Sequence, residues 1–273
     1  MASVPFGGGY RLIDFTLSNL VNGGIEKVGI ITHTNYRSLL EHIGSGADWD
    51  LERQGGGIRI LPPFITAYEN SDAPHVYASR LEALMGGMNY IRNCNEDLMV
   101  LSDCNVICNI DIAGLLAAHE QSQADITVVT SLIRPESRLA AKSLLLRAGE
   151  GGRIYEAVEY GGGEVRGGFE VSLNIMVIGR GYLESLVADA MAHGYNNFYR
   201  DIISRRLRED NFRVFSFNGY YGLVDNIEGY FSRSMELLSP RVREALFGVE
   251  GRPVMTRVKS APPARYGSEG ETI

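Results

Sequence analysis

Apolar positions near the start of the chain change period, from helical spacing to a continuous run. Ile13, Leu17, Leu20 and Val21 recur at helical spacing, and Asn22-Gly23-Gly24 ends the predicted helix. Val28-Gly29-Ile30-Ile31-Thr32 follows as a short apolar run and reads as a buried strand. The alternation continues along the chain. Helical spacing predicts helices over 37–43, 76–91, 111–121, 182–192, 198–208 and 227–238. In 76–91, Tyr77, Leu81, Leu84, Met88 and Ile91 lie near one face, and the last helix stops near Pro240. Strands are predicted over 58–61, 97–101, 126–133, 143–147, 153–158, 169–178, 212–217 and 220–224, with one more over 254–258. Residues 49–57 read as an exposed loop and 66–75 as a polar, turn-rich stretch. Strands alternating with helices predict an α/β fold with a doubly wound, mostly parallel sheet.

Composition narrows the class. With 273 residues, the chain makes one large domain or two small ones. Hydrophobic residues at 45% and charged residues at 22% describe a soluble globular protein with a sizeable core. A formal net charge of −7 argues against nucleic acid as partner but leaves phosphorylated small molecules open. No apolar run is long enough to cross a bilayer, and the MASVPF start has no signal-peptide pattern. Cys94, Cys104 and Cys108 lack C-x-x-C spacing and read as reduced thiols of a cytoplasmic protein. His33, His42, His75, His119 and His193 share no metal-ligand spacing. Glycines cluster at 55–57, 151–152, 161–163 and 167–168, marking loops. Gly7-Gly8-Gly9, just before the first helix, lets the backbone approach a ligand closely; taken alone it is equally an ordinary tight turn.

The surrounding residues are more specific than the glycines. Val4-Pro5-Phe6-Gly7-Gly8, Tyr10-Arg11, Ile13-Asp14-Phe15 and Leu17-Ser18-Asn19 match the V-P-F-G-G-x-Y-R-x-I-D-F-x-L-S-N block of sugar-nucleotide pyrophosphorylases. The chain resembles the ADP-glucose pyrophosphorylase (glucose-1-phosphate adenylyltransferase) family. His42-Ile43-Gly44-Ser45-Gly46, Trp49-Asp50-Leu51, Gly229-Tyr230-Phe231 and Met235-Glu236-Leu237-Leu238 are similar to its GlgD-type subunit, the poorly catalytic partner of a GlgC-type chain. The resemblance covers nearly all of the chain and is weakest over 140–170. It implies a Rossmann-like nucleotidyltransferase domain over 1–240 that lacks the family's first strand and phosphate loop. Residues 241–273 would be a linker, broken by Pro262-Pro263, and the beginning of a left-handed β-helix. That pattern is expected of a fragment or a mis-set start codon.

The family reaction joins ATP and glucose 1-phosphate to give ADP-glucose and pyrophosphate, in glycogen synthesis. It needs Mg2+ between carboxylates and basic groups on phosphates. The resemblance puts Asp103 near one metal carboxylate, where this chain is one residue longer than the family's G-D-H-I-Y turn. Asp103 either replaces the metal aspartate or is a turn or capping residue beside it. At the second carboxylate position the register places Leu223, which cannot ligate magnesium. Asp225, two residues on, either substitutes or caps the helix that follows. Tyr160, after Glu159, stands in the place of the sugar-phosphate lysine. Arg80 stands in a changed nucleotide helix start, either touching a phosphate or solvated. Arg200 and Asp201 keep charges where the family has them; the plain alternative is a solvent-facing pair on a capped surface helix. Arg11 resembles an arginine linked to effector response, and Gly9 replaces a lysine found in many catalytic chains.

The expected function is a regulatory subunit, weakly catalytic or inactive alone, bound to a GlgC-type partner and responsive to ATP, glucose 1-phosphate or a metabolite effector. The alternatives are an active adenylyltransferase using Asp103 and Asp225, and a sugar-phosphate or nucleotide sensor.

Overall fold

Gly7 and Gly8 take φ of +60° and +86°, a conformation favouring glycine. They turn the chain between two short antiparallel strands, β1 (Pro5–Phe6) and β2 (Tyr10–Arg11). The triple glycine is therefore the tip of a hairpin leading into α1 (Leu12–Asn22). The structure is a computed structural model, and it describes residues 1–32, 36–53, 56–62, 77, 79–133, 139, 143–161, 165 and 167–258. Next come β3 (Lys27–Ile31), α2 (Arg37–Ile43), β4 (Gly57–Leu61), α3 (Arg80–Arg92), β5 (Leu98–Ser102) and β6 (Val106–Cys108). They are followed by α4 (Ile112–Ser122), β7 (Ile126–Leu132), β8 (Leu144–Ala148), β9 (Ile154–Glu159) and β10 (Glu170–Gly179). The last elements are α5 (Arg180–His193), α6 (Ser204–Arg206), β11 (Phe212–Ser216), β12 (Tyr221–Leu223), α7 (Ile227–Glu236) and α8 (Pro240–Phe247).

The main sheet runs β11-β7-β10-β8-β9, and β5 also pairs with β10. β11 is parallel to β7, whereas β10 is antiparallel to β5, β7 and β8, and β9 is antiparallel to β8. Strands β5, β7, β8 and β11 thus share one direction, as a mostly parallel α/β sheet requires. The ladders themselves are largely antiparallel because the reversed β10 lies in the middle. Hydrophobic runs report burial on both faces and say nothing of direction. Two smaller pairs stand apart: β3 with β4, parallel, and β6 with β12, antiparallel.

Helices cover both faces. Leu81, Leu84, Met88 and Ile91 of α3 and Leu183, Leu186 and Val187 of α5 pack on one face, with Ile126, Val128, Met176 and Ile178. Ile112 and Leu115 of α4 pack on the other, with Val129, Leu173, Ile175 and Val177. Ile13, Leu17 and Leu20 of α1 cover Val28 and Ile30 of β3, beside Leu39, Ile43 and Trp49. Each such fully buried large side chain contributes about 1.5–3 kcal/mol relative to exposure.

Several boundaries differ from the sequence expectation. The helix expected over 76–91 starts at Arg80, because Ser79 Oγ accepts from the Glu82 N–H at 3.2 Å and caps it. The segment 198–208 is a π-helical turn, Phe198–Ile203, followed by α6. Pro240 does not simply stop the preceding helix. It occupies the first turn of α8, where its missing N–H costs nothing, and Leu246 of α8 is buried against Phe6, Phe15 and Val224. Residues 252–258 form no strand; hydrogen bonds fix them instead on α1. Ser18 exchanges bonds with Met255, and Asn22 Nδ2 donates to the Pro253 carbonyl at 3.0 Å. The hairpin β1–β2 and strand β6 were too short to carry a periodic signal. The stretch 66–75, Val76, Gly55, Gly162, Gly163, His33, His75 and Pro262-Pro263 lie outside the described residues.

Candidate functional site

Asp103 follows β5 at the carboxyl edge of the sheet, where ligands of open α/β sheets bind. Its carboxylate is already engaged. Arg80, the first residue of α3, donates through Nη2 to Asp103 Oδ1 at 2.6 Å and to the Asn174 carbonyl at 3.0 Å. The Arg80 side chain is 15% exposed and that of Asp103 45%. The guanidinium carbon lies 5.8 Å from the centre of the Tyr199 ring, and the Tyr199 hydroxyl donates to Asn174 Oδ1 at 2.9 Å. Burial works against the Arg80 charge, but Tyr199 and Asp103 outweigh it and raise its pKa above the ordinary value. Arg80 is thus a half-buried, paired cation, not a solvated helix arginine.

Asn174 organises this corner. It sits at φ +57° where the β10–β7 register shifts, between Ser172 and Met176. That bulge turns its carbonyl toward Arg80 and toward the Asp103 N–H, which donates at 3.3 Å. Asn174 and Tyr199 were not among the expected site residues. The available signal was one amide inside the apolar run 171–178.

On the other side, Asn105 Nδ2 donates to Asp225 Oδ1 at 2.6 Å. Desolvation of the Asp225 carboxyl, although the residue keeps an exposed surface, raises its pKa. Asp103 adds in the same direction, and the Asn105 bond opposes both. Asp225 does not cap the next helix: Asn226 does, accepting from the Gly229 N–H at 2.7 Å. Leu223 packs half-buried against the apolar cluster behind β6 and β12.

A second polar group adjoins through Tyr199. Asn197 caps the π-helical turn and donates through Nδ2 to Glu159 Oε1 at 3.0 Å. Asp201 is not solvent-facing. At 6% exposure it accepts from Arg200 Nε at 2.8 Å and from the Asn196 and Asn197 N–H groups. The Arg200 bonds, ahead of the backbone ones, hold its carboxyl well below the usual carboxylate range. Tyr160 turns away and packs with Leu145 and Val171 on the opposite face.

The Gly7-Gly8-Gly9 hairpin packs against the last helices. Gly7 lies against Leu237, and Tyr10 stacks on Phe247 at 5.1 Å between centroids. Arg11 Nη1 donates to the Ser38 carbonyl and hydroxyl, both at 2.8 Å, at the start of α2. Below it, fully buried Asp14 meets His42 Nε2 at 2.6 Å and accepts from Thr256 Oγ1 at 2.5 Å and from the Arg11 N–H at 2.9 Å. The structure therefore gathers Asp103, Arg80, Asp225, Glu159, Arg200 and Asp201 along one edge, while Gly7, Gly8, Gly9 and Arg11 belong to the hairpin.

Mg2+ needs several oxygen ligands in near-octahedral order, with at least one or two free carboxylates. No group of three or more His, Cys, Asp or Glu side chains suited to a metal exists among the described residues. Asp103 is bound to a guanidinium, Asp225 to an amide, and Leu223 offers no donor. The donor set does not fit the ion. The cysteines are free; burial pushes the Cys104 and Cys108 thiols up to about 12. No helix among the described residues is long and apolar enough to cross a membrane.

Comparison with known proteins agrees with this fold. A family model described as nucleotidyl transferase matches residues 2–155. The chain is 32% identical over 277 residues to a glucose-1-phosphate adenylyltransferase of Geobacillus stearothermophilus, covering 98% of this chain and 68% of the relative. It is 26% identical over 272 residues to the glycogen biosynthesis protein GlgD of Bacillus subtilis, covering 98% and 65%. It is 30% identical over 275 residues to a glucose-1-phosphate adenylyltransferase of Thermotoga sp., covering 99% and 63%. The chain thus spans less than two thirds of the length of these last two relatives.

Proposed function

The chain belongs to the nucleotidyl transferase family, and on that premise we propose that it is a GlgD-type regulatory subunit of glucose-1-phosphate adenylyltransferase. On this reading it acts in the cytoplasm in glycogen synthesis, makes little or no ADP-glucose alone, and partners a catalytic GlgC-type chain. One observation carries the reading: the Arg80 guanidinium sits on Asp103, the residue that the resemblance puts near one metal carboxylate. A guanidinium neutralises the carboxylate but has no vacant coordination site, so it cannot bridge to a triphosphate as a metal does. Tyr160 in place of a lysine removes a phosphate cation as well. Removing a single charge-stabilising group of this kind typically costs about 3–4 kcal/mol of barrier. Two such losses leave little turnover even when they are not additive.

Support for a partner comes from α7. Ile227, Phe231 and Met235 of α7 recur every four residues, and Leu238 follows just past its end, with exposures of 82%, 64%, 48% and 67%. Such a contiguous exposed stripe is typical of interaction surfaces. Purified chain is assayed for ADP-glucose with ATP, glucose 1-phosphate and Mg2+, alone and with a catalytic chain of the family. The proposal expects no turnover alone, and co-elution with the catalytic chain plus a shifted effector response when mixed. Robust turnover by the chain alone would reject it.

A further inference from the structure

Asp14, Ser18 and Asn22 stand four residues apart and so form a polar row along one face of α1. Residues 253–256 run along this row in the opposite direction. Asn22 Nδ2 donates to the Pro253 carbonyl at 3.0 Å, the Met255 N–H donates to Ser18 Oγ at 2.8 Å, and Thr256 Oγ1 donates to Asp14 Oδ2 at 2.5 Å. The match is geometric. Four helical residues rise about 6 Å and two residues of extended chain span about 6.6 Å, so Pro253 and Met255 meet Asn22 and Ser18 in step. Ser18 Oγ completes the contact by donating back to the Met255 carbonyl at 3.3 Å.

The segment itself is lightly held. None of residues 252–258 is buried, and Val254 and Met255 supply its contacts with the apolar clusters. It leaves a turn at Gly251 (φ +73°), with Asn109 Nδ2 on the Arg252 carbonyl at 2.8 Å. A segment held by a few hydrogen bonds and two half-buried side chains opens at lower free energy than β7 and β10, whose side chains are mostly buried. What it covers is dry. The Asp14 and His42 side chains meet at 2.6 Å and are 0% and 2% exposed. Three elements converge on the Asp14 carboxylate: the hairpin through the Arg11 N–H, α2 through His42, and the segment through Thr256. Met255 packs on the same cluster as Leu39, Ile43 and Trp49, and Arg11 Nη1 holds Ser38 at the start of α2. Lifting the segment admits water to Asp14, and a hydrogen bond to a carboxylate weakens as the local dielectric rises.

We propose that residues 252–256 are a releasable latch. Seated on α1, they keep the Asp14–His42 pair dry; their release loosens α2 and the β1–β2 hairpin together while the main sheet stays closed. The coupling runs through one carboxylate, and it is reciprocal: whatever weakens the hold of α2 on Asp14 frees the latch by the same factor. Because the bonds from Ser18 and Asn22 fall on main-chain groups of the latch, only the Thr256 hydroxyl ties its sequence to Asp14.

The test is amide hydrogen exchange on the whole chain at pH 7. Thr256→Val keeps the shape of the side chain and removes the hydroxyl; Ser18→Ala removes the partner of the Met255 main chain. Each should raise exchange about tenfold at Arg11 and over Leu39–Ile43, with β7 and β10 unchanged. His42→Gln, acting from α2, should raise exchange at Met255 by a similar factor. The double variant Thr256→Val with His42→Gln should exchange over α2 little faster than His42→Gln alone, since both act on the same carboxylate. Unchanged exchange at Arg11 and α2 in a folded Thr256→Val chain would overturn the proposal. So would a uniform rise that includes β7 and β10, which would make release inseparable from unfolding. A full, additive effect of Thr256→Val in the His42→Gln background would overturn it too, because the coupling would then bypass Asp14.

Discussion

Neutralising Asp103 separates two kinds of site by the sign of its effect. In a site built for a cation, Asp103 and Asp225 repel each other until the ion arrives. Removing one charge then stabilises the metal-free protein. Here Asp103 is the counter-ion of Arg80, whose side chain is only 15% exposed and whose Nη1 has no partner among the described residues. Asp103→Asn therefore leaves a half-buried guanidinium with weaker compensation. Breaking a fully buried pair costs about 3–5 kcal/mol. The Asp103 side chain is 45% exposed, so solvent screening reduces the loss to about 2–3 kcal/mol. For a chain of this size that is a fall in Tm of roughly 5–10 °C. Arg80→Met should cost less, about 1–2 kcal/mol, because methionine keeps the stem packing and the half-exposed carboxylate can rehydrate. Urea unfolding of both variants and the double variant at pH 7 gives the coupling energy, expected at about 1–2 kcal/mol. Asp103→Asn as stable as the parent or more so would refute the reasoning. So would a Tm of the parent chain that rises with millimolar Mg2+ or Mn2+.

Three further outcomes follow from the same contacts. The folded pKa of Asp201 is lowered, so its stabilisation is present above the ordinary carboxylate value of 3.8 and is lost as pH falls below it. Asp201→Asn should cost about 1–2 kcal/mol at pH 7 and progressively less as pH falls below 3.8, read from urea midpoints across pH. Asp14→Ala strands His42 and Thr256 around a fully buried gap. It should cost about 3 kcal/mol or more, measured by the same denaturation. At Gly29 an added Cβ would meet the Tyr90 ring at 2.5 Å. Gly29→Ala should therefore destabilise by about 1–3 kcal/mol, and pairing it with Tyr90→Leu should recover most of that loss in thermal melts.

The layers were legible in the sequence because burial writes itself as period. The β10 run is apolar almost throughout and the α3 face recurs at helical spacing, so both were found within a few residues. Direction was not legible, since the reversal of β10 leaves no mark on hydrophobicity. Elements of two or three residues, such as β1, β2 and β6, are shorter than any period. Pro240 shows a different gap: the same residue ends one helix and begins another, and only the burial of Leu246 decides. At the site, the residue types were visible but their partners were not. Arg80 and Asp103 are 23 positions apart in sequence, and nothing local shows that α3 delivers one to the other. Asn174 was hidden for the opposite reason. A lone polar residue in a buried strand looks like a tolerated defect until the bulge around it is seen.

The bonds from Asp14, Ser18 and Asn22 to Pro253, Met255 and Thr256 join positions more than 230 residues apart. On the ribosome, α1 emerges more than 230 residues ahead of the groups that match its inward polar side chains. Until Thr256 clears the exit tunnel, one acceptor bond of Asp14 has no donor within the nascent chain. At translation speeds of about 5–20 residues per second, that interval is on the order of ten seconds or more. During it α1 is a natural client for a chaperone, and its final locking is deferred until residues 253–256 have been made.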